Sequence, residues 1–283
     1  MRDFDCPPFR PDPTDVPAPA PLWQGTDPRE LIAEPGLADF KSLRESELNG
    51  SHVWITLCEP GYEAAGLWRQ YRERYDQTGL WPLLMNPETL NVCERRADPQ
   101  FRIISQHGLT GHGITAGQDW FDTRYSIENP DAIQDGDPTF RTEEDWSDPV
   151  FAAANSKFGG FDWADILDAV GGTFYQMLLV PAPFPWLVPG VLGWSGALND
   201  NLGWREHASV LRRWQLLWGT ELIGLESDMM WLRHIQPIQD RDTALSAALE
   251  AFLYCPDSVH QGHLSLDCLA KALLEPMWRF WWD

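Results

Sequence analysis

Residues 174–283 alternate short apolar runs with longer amphipathic segments, and this alternation constrains the fold more than any other feature. The short runs have the length and the β-branched or aromatic content of strands, whereas the longer segments place apolar residues at helical spacing. The predicted strands are 174–182, 221–227, 229–235 and 278–282, and the predicted helices are 207–221, 241–255 and 264–275. The order β-α-β-β-α-(α)-β is typical of the ferredoxin-like split βαβ arrangement, an antiparallel sheet with helices on one face. The sequence therefore predicts the α/β (α+β) class.

A strand–helix–strand pattern also lies upstream of this region. Residues 52–59 and 80–85 are apolar runs typical of strands. Between them, residues 62–79 place apolar side chains at helical spacing and end on Gly79, a residue suited to a helix C-cap. Together they predict a βαβ unit. Short helices are also predicted at 37–48 and 161–171.

The chain is predicted to have three regions. Residues 1–50 include seven prolines between positions 6 and 21, a composition typical of an extended, poorly ordered arm. Residues 51–160 form a smaller α/β region with long Gly-rich and acidic loops, and residues 161–283 form the ferredoxin-like domain. The most apolar stretch, 174–194, contains four prolines and is therefore not expected to cross a membrane as a helix.

The charge balance limits the classes of partner. Asp and Glu number 42 against 21 Lys and Arg, which gives a formal net charge of −21. Such a chain repels nucleic acid phosphates and attracts basic proteins. The same charge also serves simply to keep a protein with 16 tryptophans soluble, so both interpretations stay open.

The five cysteines are scattered, odd in number and without a CxxC spacing. This pattern argues against a disulfide framework and for a reducing compartment. The N-terminal sequence has no basic segment followed by an apolar run, so no signal peptide is expected and the location is predicted to be cytoplasmic. No cofactor or metal motif is recognised.

Four stretches near the C-terminus carry a family resemblance. They are LLVPAPFPWLVPGVLGWSGALN (178–199), HASVLRRWQLLWGTELIGL (207–225), FLYCPDSVHQGHLSLDCLAKAL (252–273) and WRFWWD (278–283). This combination resembles the bacterial family catalogued as domain of unknown function 4253, over about residues 173–283. The resemblance implies a family but no agreed activity. A role as an immunity or interaction protein is implied only by analogy.

The stretch YCPDSVHQGHLSLD, residues 254–267, is the most chemically suggestive. Cys255 could be a nucleophile with His260 or His263 as base and Asp257 as the orienting acid. The spacing of Asp257, His260 and His263 could also place metal ligands, although Gly262 interrupts a helix between them. A structural interpretation explains more residues: Pro256 stops one helix, Asp257 caps a turn, Gly262 makes the reversal and Ser265 caps the next helix. Cys255 then continues the apolar face of the preceding helix and is buried.

Other candidates lie further apart in the sequence. His107 and His112 stand among four glycines in a stretch without a phosphate-binding pattern. An acidic loop offers a solvated face or a contact for a basic partner through Asp131, Asp135, Asp137, Glu143 and Glu144. Trp281 and Asp283 could form a recognition surface, unless Phe280 and Trp282 share one face and Trp281 packs on the other. His234 is expected to be a core histidine.

Two functions follow from these observations. The first is a non-enzymatic protein-binding module, for example an immunity-type protein that neutralises a basic toxin or another basic partner. The alternative is a hydrolase-like enzyme with a site between the two halves, built from His107 or His112 and the Cys255–His263 segment. The two differ in one geometric requirement, because catalytic groups must converge in one concave site.

Overall fold

The computed structural model describes residues 9–21, 23, 25, 27–28, 43–58, 62–95, 114–128, 146, 148–159, 174 and 176–283. Within them one sheet contains strands β1 (Arg44–Leu48), β2 (Ser51–Leu57), β3 (Leu80–Met85), β4 (Gln176–Pro181), β5 (Glu221–Leu225), β6 (Met229–Arg233) and β7 (Met277–Trp281). The order is β1-β2-β4-β3-β5-β6-β7, and every neighbouring pair is antiparallel except β3 with β5. The predicted α+β class with a mainly antiparallel sheet is confirmed.

The strand order differs from the ferredoxin-like order that the sequence suggested. In that arrangement the last strand returns to lie beside the first, whereas among the described strands β7 pairs with β6 alone. The upstream strand β3 also lies between β4 and β5, with a register that runs from Leu80 opposite Pro181 to Met85 opposite Gln176. Strands from the predicted regions 51–160 and 161–283 therefore share one sheet.

The upstream strand–helix–strand pattern is present but is split by a third strand. Both β2 and β3 run antiparallel to β4, which lies between them, so β2 and β3 are parallel to each other. The helix that connects them, α1 (Tyr62–Thr78), ends at Gly79 with a φ of 68°, as a C-cap glycine does. The split βαβ unit is thus formed by β2, α1 and β3 around β4.

The remaining helices are α2 (Pro87–Arg95), α3 (Gly117–Glu128), α4 (Asp148–Gly159), α5 (Val188–Leu192), α6 (Trp204–Trp218), α7 (Arg241–Tyr254) and α8 (Leu266–Ala272). The helix predicted at 161–171 lies outside the described residues. Among these helices, none is long and apolar enough to cross a membrane.

Helices cover both faces of the sheet, in contrast to the predicted single face. Neighbouring side chains of a strand point to opposite faces. Arg233 of β6 lies over the ring of Trp68 in α1, with 5.0 Å from its guanidinium carbon to the ring centroid. Leu232 pairs instead with Trp278 of β7, whose ring lies 5.5 Å from that of Trp214 in α6. Therefore α1 and α6 lie on opposite faces.

Residues 44–48 form a strand where the sequence suggested the end of a short helix. The reason is the dipeptide Asn49-Gly50, whose φ angles of 52° and 78° form the two-residue turn of a β1–β2 hairpin. Asn-Gly is the favoured sequence for such a turn, because both residues tolerate positive φ. The rest of the predicted helix, 37–42, lies outside the described residues.

The described part of the Pro-rich arm contacts α3 and α6. Asp12 accepts hydrogen bonds from the backbone nitrogens of Gly117 (2.7 Å) and Gln118 (3.0 Å) and so caps the N-terminus of α3. It also pairs at 2.6 Å with Arg213, which is fully buried and pairs on its other side with Glu250 of α7. These contacts hold Asp12 against α3 and α6.

Candidate functional site

The segment from Cys255 to Ser265, here named the YCPD corner, connects α7 to α8. The extended backbone of Cys255, before Pro256, ends α7, as the sequence predicted. A single π-helical turn covers Ser258–His263, and Ser265 caps α8 by accepting a hydrogen bond from the nitrogen of Cys268 at 3.2 Å. The reversal occurs at Leu264, with a φ of 65°, and not at Gly262 as predicted, because the π-turn carries helical backbone through His263.

The YCPD corner holds the end of β7 in place. The Cys255 thiol donates to the carbonyl oxygen of Trp281 at 2.9 Å. A carboxylate oxygen of Asp257 accepts from the backbone nitrogen of Asp283 at 3.0 Å, and its other oxygen accepts from the Gln261 amide at 2.9 Å. On the opposite side, the Asn199 amide donates to the Asp283 carbonyl at 2.6 Å. The motifs that carry the family resemblance therefore meet around the FWWD end.

Cys255 lies in an environment that disfavours a nucleophilic role. Its side chain is fully buried, and burial raises the pKa of the thiol to about 11. The thiolate is the reactive form of cysteine, and a raised pKa keeps the sulfur protonated at neutral pH. This geometry agrees with the structural interpretation of Cys255.

The other sequence candidates of the YCPD corner divide into two groups. Asp257 and His263 line one cleft, whereas the His260 ring packs against Phe252, with 5.3 Å between centroids. Burial, and then the positive charge of Arg279, lower the pKa of His263, so this imidazole is neutral at neutral pH. Within the described part of the chain, no group of three His, Cys, Asp or Glu side chains could hold a metal ion.

The cleft, named here the β7 cleft, runs between the YCPD corner, α8 and β7 and has a volume of about 270 Å³. Asp257 and His263 line it from the corner, Leu273 from the end of α8, and Met277, Arg279 and Trp281 from the strand. Trp281 is half-buried, and its indole nitrogen donates to the Asp228 carboxylate at 3.1 Å. Phe280 and Trp282 are buried, as predicted for the face opposite Trp281.

One side of the β7 backbone faces the cleft. The nitrogen of Trp282 donates to the carbonyl of Asp228 at 3.0 Å, and the nitrogen of His234 donates to the carbonyl of Pro276 at 2.9 Å. Even-numbered residues of β7 therefore pair with β6, and the backbone groups of Met277, Arg279 and Trp281 point away from it. Met277 and Arg279 were missed by the sequence reasoning, because their contribution is main-chain geometry.

Two further buried sites also escaped the sequence reasoning. Glu221 of β5 is buried and pairs with Arg72 and Arg233, at 2.6 Å and 2.5 Å respectively. His207 of α6 is fully buried, with its Nδ1 2.6 Å from the Tyr254 hydroxyl, and burial lowers the pKa of its imidazole to about 3. Both lie within the packed interior and hold elements together.

Several candidates from the sequence lie outside the described residues. They are the two histidines of the Gly-rich stretch and the five carboxylates of the acidic loop: His107, His112, Asp131, Asp135, Asp137, Glu143 and Glu144. Among the candidates in the described residues, Asp257, His263 and Trp281 line one cleft, Asp283 lies at the end of the strand, and Cys255 is buried behind it.

Comparisons with known proteins address the C-terminal part of the chain. No curated protein and no solved structure matches the sequence. Residues 176–283 match the model of the family described as Domain of unknown function (DUF4253). This range begins at the first residue of β4 and includes all four stretches that carried the resemblance. The resemblance that the motifs carried is therefore confirmed for the C-terminal part of the chain, where residues 176–283 match the DUF4253 model.

Proposed function

We propose that this chain is a non-enzymatic protein-binding module whose partner is a basic protein. The observation that carries the proposal is the β7 cleft with its acidic end. One amide nitrogen, Nε2 of Gln261, lies 2.9 Å from a carboxylate oxygen of Asp257 and 3.4 Å from one of Asp283. Two negative charges are thus held close together at the end of an open cleft, on a chain with a formal charge of −21.

The chemistry of the YCPD corner favours binding over catalysis. A nucleophile and its base need to be within hydrogen-bond reach, and the nucleophile needs an ionisable form. Cys255 is instead buried, and its thiol donates to the Trp281 carbonyl. Asp257 uses both oxygens to hold Gln261 and the backbone of Asp283. The side chains that suggested chemistry therefore support the cleft wall.

Two narrower proposals accompany the proposed binding of a basic protein. Neutralisation of a basic toxin is one form of binding a basic protein, and it is supported by the net charge alone. A cytoplasmic location is supported by the cysteine pattern, since five scattered cysteines without a CxxC spacing are typical of a reducing compartment.

The test is binding of the immobilised full chain to a panel of purified proteins that range from acidic to basic. Basic members are expected to bind at low salt and to dissociate as the salt concentration rises, because screening weakens attraction between charges. The double variant Asp257→Asn/Asp283→Asn is expected to weaken this binding.

The matched control is Asp76→Asn/Asp122→Asn, which makes the same change in net charge at exposed helical positions outside the β7 cleft. A larger loss for the cleft variant supports the proposal. An equal loss for both variants would show that only total charge matters and would overturn the assignment to the cleft. If no basic protein binds at low salt, the proposed function itself fails.

A further inference from the structure

We propose that the partner enters the β7 cleft as an extended Lys- or Arg-containing segment and pairs with β7 as an additional strand of the sheet. This inference rests on the proposed function and specifies how the partner is bound. Strand addition at an exposed sheet edge derives affinity from main-chain hydrogen bonds and specificity from alternate side chains. The β7 strand, its surroundings and the net charge each contribute to the argument.

The first step is the backbone of β7. Odd-numbered residues of this strand point their N–H and C=O groups away from β6. Within the described residues, no hydrogen bond uses the outward backbone groups of Met277 or Arg279. Both residues line the cleft. The cleft therefore offers two donors and two acceptors at the spacing of alternate strand residues, which matches an incoming strand.

The second step is that the YCPD corner limits where a strand can pair. The carbonyl of Trp281 already accepts from the Cys255 thiol, and the nitrogen of Asp283 already donates to Asp257. The corner thus occupies the far end of the β7 edge. An added strand has its main-chain partners at Met277 and Arg279, and this restriction fixes its register.

The third step is the chemistry of the occupant. A second copy of this chain carries the same formal charge of −21, and like charges oppose pairing of two β7 edges. A basic segment is attracted instead, and its cationic side chains fit opposite Asp257 and Asp283 at the corner end. Arg279 is exposed and lies 5.8 Å over the Trp231 ring, so the middle of the strand favours an uncharged side chain of the partner.

Leu264 is an exposed apolar residue beside a residue that lines the cleft. It directly follows His263, which lines the cleft, and its side chain is 72% exposed. Its φ of 65° is unfavourable for a residue with a branched side chain. Strained backbone of this kind is concentrated at ligand-binding sites. An exposed leucine held in this conformation suits an apolar residue of the bound segment.

The experiment uses the full chain and synthetic peptides of about ten residues that alternate Lys or Arg with Val, Ile or Thr, a length typical of strands. Amide hydrogen exchange is measured by NMR with and without peptide. The amides of Met277 and Arg279 are expected to exchange fast in the free chain and to become protected when peptide binds, because pairing buries their hydrogens in a ladder.

The peptide supplies its own matched control. The tightest peptide is made in two versions, with N-methyl groups on the odd or on the even residues, which removes the donors of one edge only. One version is expected to bind about tenfold more weakly than the other, since a lost hydrogen bond and its steric block cost on the order of one factor of ten. Equal affinities of the two versions would overturn strand pairing.

Variants of the chain test the same point from the other side. Arg279→Pro removes the outward N–H of β7, where an edge strand tolerates proline, and Arg279→Ala removes the same side chain and charge but keeps the N–H. Glu47→Pro makes the same backbone change on the opposite edge, β1. Peptide binding is expected to weaken about tenfold more for Arg279→Pro than for the other two.

The two proposals fail in distinguishable ways. Salt-sensitive peptide binding without protection of Met277 and Arg279 would overturn strand addition and leave the basic partner in place. If Arg279→Pro does not fold, the amide protection and the two N-methyl peptides still decide the question on the unmodified chain. Absence of binding by every basic peptide at low salt would overturn both.

Discussion

Within the described residues, the two edge strands of the sheet are β1 and β7. They differ in the number of charged side chains that they expose. β1 has the sequence RESEL and exposes the charged side chains of Arg44, Glu45 and Glu47. Charges along an edge discourage pairing with another chain. β7 has the sequence MWRFW, with two half-buried residues and a single exposed charge, Arg279. One edge is therefore protected by charge and the other is not.

The outer edge of β7 is instead partly covered by the YCPD corner. The YCPD corner occupies the outer backbone at Trp281 and Asp283 and leaves the outer backbone at Met277 and Arg279 facing the cleft. Natural proteins restrict exposed edges because these promote aggregation. This contrast with β1 is what the strand-addition proposal expects, and stability measurements on the two edges can test the difference.

The largest expected effect on stability comes from truncation of Trp278, the buried tryptophan of β7. Trp278 is 2% exposed, donates to the Leu273 carbonyl at 2.9 Å and packs against Trp214. Trp278→Ala is expected to lower the free energy of unfolding by about 3–5 kcal/mol, the range for a buried aromatic residue. Glu47→Ala on β1 is expected to change it by less than about 0.5 kcal/mol. Urea denaturation measures both. A small loss for Trp278→Ala would show that β7 is not firmly packed.

The next effect is a pH dependence confined to the β7 side. His234 directly follows β6, its backbone nitrogen donates to the Pro276 carbonyl, and its ring packs against Trp278. Burial lowers the pKa of its imidazole to about 4. In the unfolded chain the pKa is about 6.5, so the unfolded state binds more protons between pH 6.5 and 4. Stability that is full above pH 6.5 is therefore lost as the pH falls, by about 2 kcal/mol for this residue at pH 5.

The urea midpoint between about pH 7 and pH 5 measures this loss. Buried His207, whose pKa is lowered to about 3, adds a loss of the same sign. His234→Gln is expected to flatten the pH slope. The control is His52→Gln, since His52 is exposed beside Glu45 on the β1 side. A slope that is unchanged by His234→Gln, or is equally reduced by His52→Gln, contradicts this assignment.

A smaller effect on stability is expected when the hydrogen bonds between the YCPD corner and the end of β7 are removed. Asp257→Ala removes the acceptor of two hydrogen bonds, from Gln261 and from the backbone of Asp283. The expected loss is about 1–2 kcal/mol, with faster amide exchange at Asp283. Glu45→Ala, which removes an exposed pair with His52 on the β1 side, is expected to cost less than about 0.5 kcal/mol. Equal losses at the two edges would remove the distinction drawn between them.

The sequence predicted most of these strands and helices but not their neighbours. Six of the predicted strands, including those at 52–59 and 80–85, coincide with β2 to β7. A period of two residues specifies which side chains are buried and carries no information on which strand lies alongside. The insertion of β3 between β4 and β5 was therefore invisible, whereas the Asn49-Gly50 hairpin was a local signal that was overlooked.

The candidate site was predicted in part for a similar reason. Side-chain patterns identified Asp257, His263, Trp281 and Asp283, and the helical spacing of Cys255 correctly indicated its burial. The groups of Met277 and Arg279 that carry the strand-addition proposal belong to the backbone. Their direction depends on the register between β6 and β7, which forms only in the folded sheet.

The smallest expected effect concerns the two non-glycine residues with positive φ next to the edges, Asn49 at 52° and Leu264 at 65°. Asparagine tolerates this conformation, and Asn49 also donates to the Gly190 carbonyl at 3.4 Å, whereas leucine is strained by its Cβ. Leu264→Gly is expected to raise the free energy of unfolding by about 0.5–1 kcal/mol, and Asn49→Gly to give no gain. If leucine is kept there for binding, Leu264→Gly should at the same time weaken the basic peptides. A variant that gains stability without losing peptide affinity would remove Leu264 from the site. A gain in stability together with a loss of affinity would show that the strained backbone beside β7 serves binding, a role that Asn49 beside β1 does not have.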